Sequence, residues 1–337
     1  MNKAIRRSLS IVLILVIVTG AFYLYIPPQY SIILNMNQTV GENKVDILCI
    51  GSSHLYCGID PIQLYKEKGY AAFDLAGGSM APWQSYYYML EACKTQTPKL
   101  IIIDTYMIGK VQDMGYYTDS QTVENLLTFP LSMNKIKAVA ESEAESKLSL
   151  LLVFPYTYDE TDSYPGLSCK KIQGKKDYSL GYKYASGVIE HKDISDIAGV
   201  TDEMAIHPKN EKYLRMIIEY CNDNEIPLLL TNTPTPCITE EKQRYYNYIN
   251  DVADEYTIPF INGCLYYDEM GIDYMTDSYD ESGHLNYNGV SKYTGWLADY
   301  LEKHYDLPDH RNDPEYEPYE EAVKWLEDKL VSEWEKD

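Results

Sequence analysis

Two short segments carry residue types suited to acyl chemistry. The first, ILCIGSSH, places Ser52, Ser53 and His54 directly behind an apolar run. The second, DSYDESGHLNYNG, places His284 shortly after Asp280 and Glu281 and just before Asn286. A serine hydroxyl is a weak nucleophile until a base accepts its proton and a third group orients that base. Ser53 as nucleophile, His284 as base and Glu281 or Asp280 as orienting acid fill those three roles. A serine behind a strand glycine is most simply a turn or cap residue. The downstream histidine, in this chain order, lifts Ser53 above that reading.

The elements around these segments alternate between strand and helix patterns. Val45–Ile50 is apolar apart from Asp46, as a strand buried on both faces requires. Asp60 and Pro61 open a helix that Gly69 closes. AAFDLAGG reads as a second strand running into a glycine turn, 82–93 as a helix, and KLIIID, ending at Asp104, as a third strand. After a less regular stretch the rhythm returns with a helix at 209–222, where Leu214, Ile217, Ile218 and Cys221 share a face. The strand IPLLLTN, a helix over 240–255, the strand IPFIN and a helix over 288–304 follow. This alternation predicts an α/β fold, a three-layer doubly wound parallel sheet of flavodoxin-like type. Ser53 and His284 would then meet at the carboxyl edge of the sheet, where such folds bind ligands. The middle region, about 118–206, reads as an insertion at that edge, with a helix near Val123–Lys147.

Composition narrows the possible partners. The chain has 29 basic and 51 acidic residues, a net charge of −22. That balance argues against nucleic acid, whose binding rests on neutralising phosphates. Tyrosine is abundant, 34 residues against 5 Phe; compositional bias is a simpler account of this than a sugar-binding surface. Lys3, Arg6 and Arg7 precede the uncharged stretch Ser8–Ile26, close to the roughly 20 residues that cross a bilayer as a helix. With no further Lys or Arg until Lys44, the positive-inside rule predicts a cytoplasmic N-terminus and an extracytoplasmic remainder. The length of the run and the poor cleavage site VTGAF favour an uncleaved anchor over a signal peptide. The predicted organisation is an N-terminus with transmembrane signal anchor (1–28), a stalk (29–44), a catalytic domain (45–308) and an acidic C-terminal helical tail (309–337). In the tail Ala322, Val323, Leu326, Leu330 and Trp334 form one stripe, expected to pack on its own domain. The seven cysteines, Cys49, Cys57, Cys93, Cys169, Cys221, Cys237 and Cys264, include no CxxC pair, so no zinc is expected. His191, His207, His304 and His310 show no ligand spacing.

GSSH together with HLNYNG resembles the SGNH, or GDSL-like, hydrolase superfamily, and most closely its membrane-anchored branch of cell-envelope acyltransferases. The resemblance covers most of the chain beyond the apolar stretch. It implies that Ser53, in the G-x-S setting of Gly51 to Ser53, is the nucleophile. It also implies that LAGGS supplies a glycine amide, Gly77 or Gly78, to an oxyanion hole shared with the amide of Ser53. The family's third block carries an Asn after the third strand, where this chain has Asp104. The family's acid stands three residues before its histidine, which favours Glu281 over Asp280. His54, Asp104, Asn232 in the segment TNTPTP, and Asn286 are candidate pocket residues. His54 reads as a neighbour rather than a second base, Asn286 as a loop-stabilising residue, and TNTPTP equally as a rigid turn.

The resulting expectation is an extracytoplasmic serine O-acyltransferase of the cell membrane. It would move an acyl group, acetyl foremost, through Ser53 to a hydroxyl of a cell-surface polysaccharide or teichoic acid, with no cofactor. The resemblance implies a membrane-bound O-acyltransferase as partner and source of the acyl donor. A carbohydrate esterase is the alternative within enzymes. A non-catalytic scaffold partner of the membrane enzyme is the alternative from another class.

Overall fold

The computed structural model describes residues 3–25, 31–109, 119–142, 147–152 and 176–334. Its centre is a five-stranded parallel sheet: β1 (Ile47–Gly51), β2 (Ala72–Ala76), β3 (Leu100–Asp104), β4 (Leu228–Asn232) and β5 (Phe260–Asn262). The strands lie in the order β2-β1-β3-β4-β5, with Ile47 opposite both Ala72 and Leu100 and Ile101 opposite Leu228. Every residue of β1 to β4 is buried. Strands with no polar face must be covered on both sides, which is why these apolar runs pair in parallel beneath helices. The chain reverses direction across the sheet between β1 and β3, the switch point at which such sheets open a crevice.

Local signals set the flanking helices. Helix α4 (Pro61–Lys68), following the short α3 (Ser53–Tyr56), opens on Asp60, whose carboxylate accepts from the amides of Ile62 and Gln63. It closes on Gly69 at φ 75°, in the left-handed region. Helices α5 (Pro82–Ala92), α9 (Pro208–Asp223), α10 (Glu240–Glu255) and α11 (Tyr287–His304) complete the cover. Trp83, Tyr65, Tyr213 and Tyr246 are among the largest side chains fully enclosed. Burying each such side chain is worth about 1.5–3 kcal/mol.

Two expectations change. The segment read as a stalk contains α2 (Ile32–Thr39), capped by Ser31, with Ile33 and Met36 in the core. Their spacing of three puts both on one helical face, and Asn37 accepts from the side chains of Thr95 and Gln96. The single helix expected near Val123–Lys147 is instead α6 (Asp119–Leu127), α7 (Met133–Glu141) and α8 (Lys147–Leu152). Pro130 cannot continue α6, and Ser132 restarts the helix by accepting from the Lys135 amide at 3.2 Å. Cys169 and the rest of residues 153–175 in the inserted region lie outside the described residues.

Helix α1 (Lys3–Tyr25) carries the apolar N-terminal stretch. Its described large apolar side chains, Leu9 and Ile11 to Val18 among them, are all exposed. The remainder of the stretch, from Thr19, lies outside the described side chains. Among the described residues no helix is long and apolar enough to cross a membrane.

The tail packs on its own domain. In α12 (Glu317–Trp334) Tyr319, Ala322 and Leu326 are buried against α4, and the ring of Tyr319 stacks on Tyr65 at 5.1 Å. Just before it, His310, which carried no assignment in the sequence, lies 2.6 Å from the Asp46 carboxylate. The side chain of Trp334 is outside the described residues.

One glycine controls how α3 seats on the sheet. A Cβ on Gly58 would lie 2.3 Å from Thr233 Cγ2 and 2.4 Å from the His54 carbonyl oxygen. Backbone cannot yield as a flexible side chain does, so Gly58→Ala is expected to destabilise the fold by about 1–3 kcal/mol. Urea unfolding measures this, and an unchanged midpoint would refute it.

Candidate active site

The carboxyl ends of β1 and β3 converge at the switch point. Behind β1, Ser52 caps α3, its hydroxyl accepting from the His54 amide at 3.4 Å. Ser53 is therefore the first residue of the helix and projects its hydroxyl from the turn. The second segment is held as a tight loop ahead of α11. The Asn286 side chain accepts from the amides of Asn288 and Gly289 and donates to the carbonyls of Gly187 and Thr276. All its bonding capacity goes to backbone groups of the loop, of the helix start and of Gly187 in the inserted region, so Asn286 acts as a cap and anchor rather than a pocket residue.

This framing brings Ser53 and His284 together across 231 positions, with Ser53 Oγ 2.8 Å from His284 Nε2. On the other side of the ring, His284 Nδ1 is 2.7 Å from Asp280 Oδ2. The preference for Glu281 is corrected here: the carboxylate on the imidazole is that of Asp280, and Glu281 is exposed. The cause is the turn between them. Gly283 sits at φ +76°, and Asp280 Oδ1 accepts from the amides of Ser282 at 3.0 Å and His284 at 3.2 Å. That winding brings the residue four positions back, not three, under the ring. Burial raises the pKa of Asp280, but its hydrogen bonds to His284 outweigh that and hold it below the usual value. An ionised carboxylate can only accept, so Nδ1 donates to it. Nε2 is then free to accept the proton of Ser53.

Aromatic rings fix the imidazole in place. His54 lies 4.3 Å from it and is itself packed 3.5 Å from Tyr106, while Tyr279 stacks on it at 5.8 Å. His54 is thus a packing neighbour of the base. The Tyr279 hydroxyl is 3.4 Å from Cys57 Sγ.

Asp104 does not face Ser53. Its buried carboxylate accepts from the Ser52 hydroxyl at 3.3 Å and the Thr233 amide at 3.4 Å, bracing the nucleophile turn from behind. Burial pushes its pKa up to about 7, against the opposing pull of these bonds. Asn232 is fully buried between β4 and β5 and donates to Asn262 and Cys264, so it lines no open pocket.

The two glycines after β2 part company. The Gly77 amide donates to the Gly51 carbonyl at 3.2 Å, within the extension of the sheet, and so is taken. Gly78 faces open space: a Cβ there would meet nothing within 4 Å, and its amide has no acceptor among the described residues. The Gly78 carbonyl is held by Asn125 Nδ2 of α6 at 3.1 Å, and Asn125 also donates to Gln84. Behind β1 and β2 the amides of Ser53 and Gly78 are thus without an acceptor among the described residues.

Several residues at the site carried no mark in the sequence. Tyr56 and Tyr279 form one wall, with Lys183 Nζ 5.9 Å from each ring. Tyr56 becomes visible only once α3 is known to be a helix turn, which sets it three residues from Ser53 on the same side. Asn125 and Lys183 come from the inserted region, where no periodicity points to the site. A separate cavity of about 370 Å³ lies between α4, α11 and α12, walled by Asp60, Gln63, Val323 and Leu326, and includes neither Ser53 nor His284. Among the described residues no group of His, Cys, Asp or Glu is placed to hold a metal ion.

No family model matches the chain, and no curated protein matches it. Among solved structures it is similar to a "putative acylhydrolase" from Bacteroides fragilis, at 13% identity, TM-score 0.38, covering 79% of this chain and 93% of that one. A likeness of that size decides neither activity nor substrate, so the chemistry rests on the site itself.

Proposed function

We propose that this chain is a serine acyltransferase of the cell surface, anchored by α1, that passes an acyl group through a Ser53 ester to a hydroxyl of an envelope glycan or teichoic acid. The supporting observation is the relay Ser53–His284–Asp280, with contacts of 2.8 and 2.7 Å at the switch point of a parallel sheet. His284 takes the Ser53 proton as Oγ bonds to the acyl carbon. The oxyanion lies on the amides of Ser53 and Gly78, and the leaving group departs with the proton from Nε2. An incoming hydroxyl then repeats the sequence in reverse and frees Ser53. Water in that role would make the chain an esterase, and the steps performed by its own residues would be the same. Anchoring is supported by the uncharged stretch from Ser8 and by the exposed apolar side chains Leu9 to Val18. The resemblance of GSSH and HLNYNG to envelope acyltransferases supports the acceptor class and a membrane-bound O-acyltransferase as partner.

The test uses the full chain in detergent with a fluorophosphonate probe and an aryl acetate, beside Ser53→Ala and His284→Ala. Labelling and turnover that vanish in both variants are expected, with intact mass revealing the Ser53 adduct. A folded wild-type protein that shows neither would overturn the proposal.

A further inference from the structure

We infer that Lys183 reads a negative charge on the alcohol that exchanges its acyl group with Ser53, so that this alcohol carries a phosphate or carboxylate beside its reacting hydroxyl. This inference rests on the serine acyl-transfer reading and names the chemical class of its hydroxyl partner. Lys183 belongs to a part of the inserted region, from Tyr182 to His191, that is fastened to α3 and to the catalytic loop at every second residue. The Lys183 amide donates to the Tyr56 carbonyl at 2.8 Å. The Ala185 carbonyl accepts from the Tyr287 amide at 2.7 Å, and the Gly187 carbonyl from Asn286 at 2.9 Å. The amides of Ile189 and His191 donate to the carbonyls of Ser278 and Tyr274 at 2.8 and 3.1 Å. Bonds at alternate residues are those of an extended chain, whose successive side chains point to opposite faces. Lys183 is thus held in a fixed place beside the loop that carries His284.

The ammonium stands one aromatic ring away from the base. Lys183 Nζ is 5.9 Å from the ring centres of both Tyr56 and Tyr279. The Tyr279 ring stacks on His284 at 5.8 Å, and His284 Nε2 is 2.8 Å from Ser53 Oγ. At the outer limit of about 6 Å for such contacts, the rings hold the cation only weakly. Lys183 is exposed, and among the described residues its ammonium pairs with no carboxylate. Lys66, Lys68, Lys192 and Lys292, by contrast, each lie within 2.9 Å of one. The Asp280 carboxylate, on the residue after Tyr279, is already engaged by His284 and by two amides. A chain of net charge −22 repels an approaching anion as a whole, so a cation at the edge of the site decides whether one is admitted. Lysine suits that task as a compact, strongly hydrated point charge, which binds phosphate or carboxylate without a fixed geometry. The alcohol occupies the same subsite whether it receives the acyl group or gives it up, and no bond to Lys183 forms or breaks in either direction.

The experiment uses the full chain in detergent and follows cleavage of the acetyl esters of glycerol, glycerol 3-phosphate and glyceric acid, beside an aryl acetate and the Ser53→Ala variant. Cleavage places the alcohol in its subsite for an esterase and a transferase alike. Wild type is expected to show kcat/KM about 3- to 30-fold higher for the two anionic esters than for the glycerol ester. The difference should lie mainly in KM and shrink as salt is raised, which a merely structural role would not produce. Lys183→Met should abolish the preference and Lys183→Arg should keep it. Lys303→Met, which removes an exposed charge at the far end of α11, should keep it too. A preference strongest for the phosphate assigns a polyol phosphate as partner, and one strongest for the carboxylate an acidic sugar. Ser53-dependent turnover of the aryl acetate with no preference among the three esters, or a preference that survives in Lys183→Met, would overturn the inference. Absence of any Ser53-dependent turnover of the aryl acetate would instead overturn the acyl-transfer reading, and this inference with it.

Discussion

Asp280→Asn is expected to reduce turnover of an aryl acetate by about ten-thousand-fold, the scale seen when the carboxylate orienting a catalytic histidine becomes an amide. The reason lies in how the two carboxylate oxygens are used. Oδ1 accepts from the amides of Ser282 and His284, and Oδ2 faces His284 Nδ1. An asparagine at 280 must keep its oxygen toward the two backbone donors, which turns its NH2 group toward Nδ1. The imidazole then carries its proton on Nε2 and cannot accept one from Ser53. Glu281→Gln, one residue away and exposed, should leave turnover within about twofold. The paired measurement is steady-state kinetics on both variants at neutral pH, with circular dichroism to confirm that each is folded. Equal losses in the two, or a larger loss at 281, would refute the assignment of Asp280.

The second large effect concerns stability against pH. Asp60 caps α4 from a fully buried position, and Asp104 braces the Ser52 turn from another. Burial pushes each up to about 7, with their backbone hydrogen bonds opposing it. A carboxyl whose pKa is higher in the folded chain holds its proton there while the unfolded chain has already released it. The stabilisation it gives is complete below the ordinary aspartate value and is lost as pH rises through about 7. Asparagine caps a helix as well as aspartate does but cannot ionise. Asp60→Asn should therefore be more stable than wild type at pH 8, on the order of 1–4 kcal/mol, with the advantage shrinking steadily toward pH 4. Urea unfolding of both proteins across that range measures the difference directly. A difference that does not change with pH would show that Asp60 is not protonated in the folded chain. Asp104→Asn should follow the same trend, since its amide oxygen can accept from the Thr233 amide while its NH2 group donates to the Ser52 hydroxyl oxygen.

Much of the architecture was legible in the sequence because it follows from local chemistry. Continuous apolar runs such as Ile47–Ile50 and Leu100–Ile103 can only be strands covered on both faces. Asp60, Pro61 and Gly69 punctuate their helix through backbone valences that any chain must satisfy. Where local patterns were weak, the reading went astray. The stretch around Ile33 and Met36 looked like a tether because eight residues are too few for a clear period, yet α2 contributes to the core.

At the site the division has the same origin. Residue type and chain order alone select Ser53 and His284, since a nucleophile behind the first strand and a base ahead of the last helix must meet at one edge of a parallel sheet. Which carboxylate reaches the histidine depends on the left-handed conformation of Gly283. Which glycine amide stays open depends on Gly77 extending the sheet to Gly51. Tyr56, Asn125 and Lys183 arrive from a one-turn helix and from the inserted region. Short-range chemistry is written along the chain, whereas the bond of Gly77 to Gly51 and the arrival of Asn125 and Lys183 arise from contacts between residues far apart in it, and the turns at Gly283 and α3 from backbone conformations that residue type alone does not select.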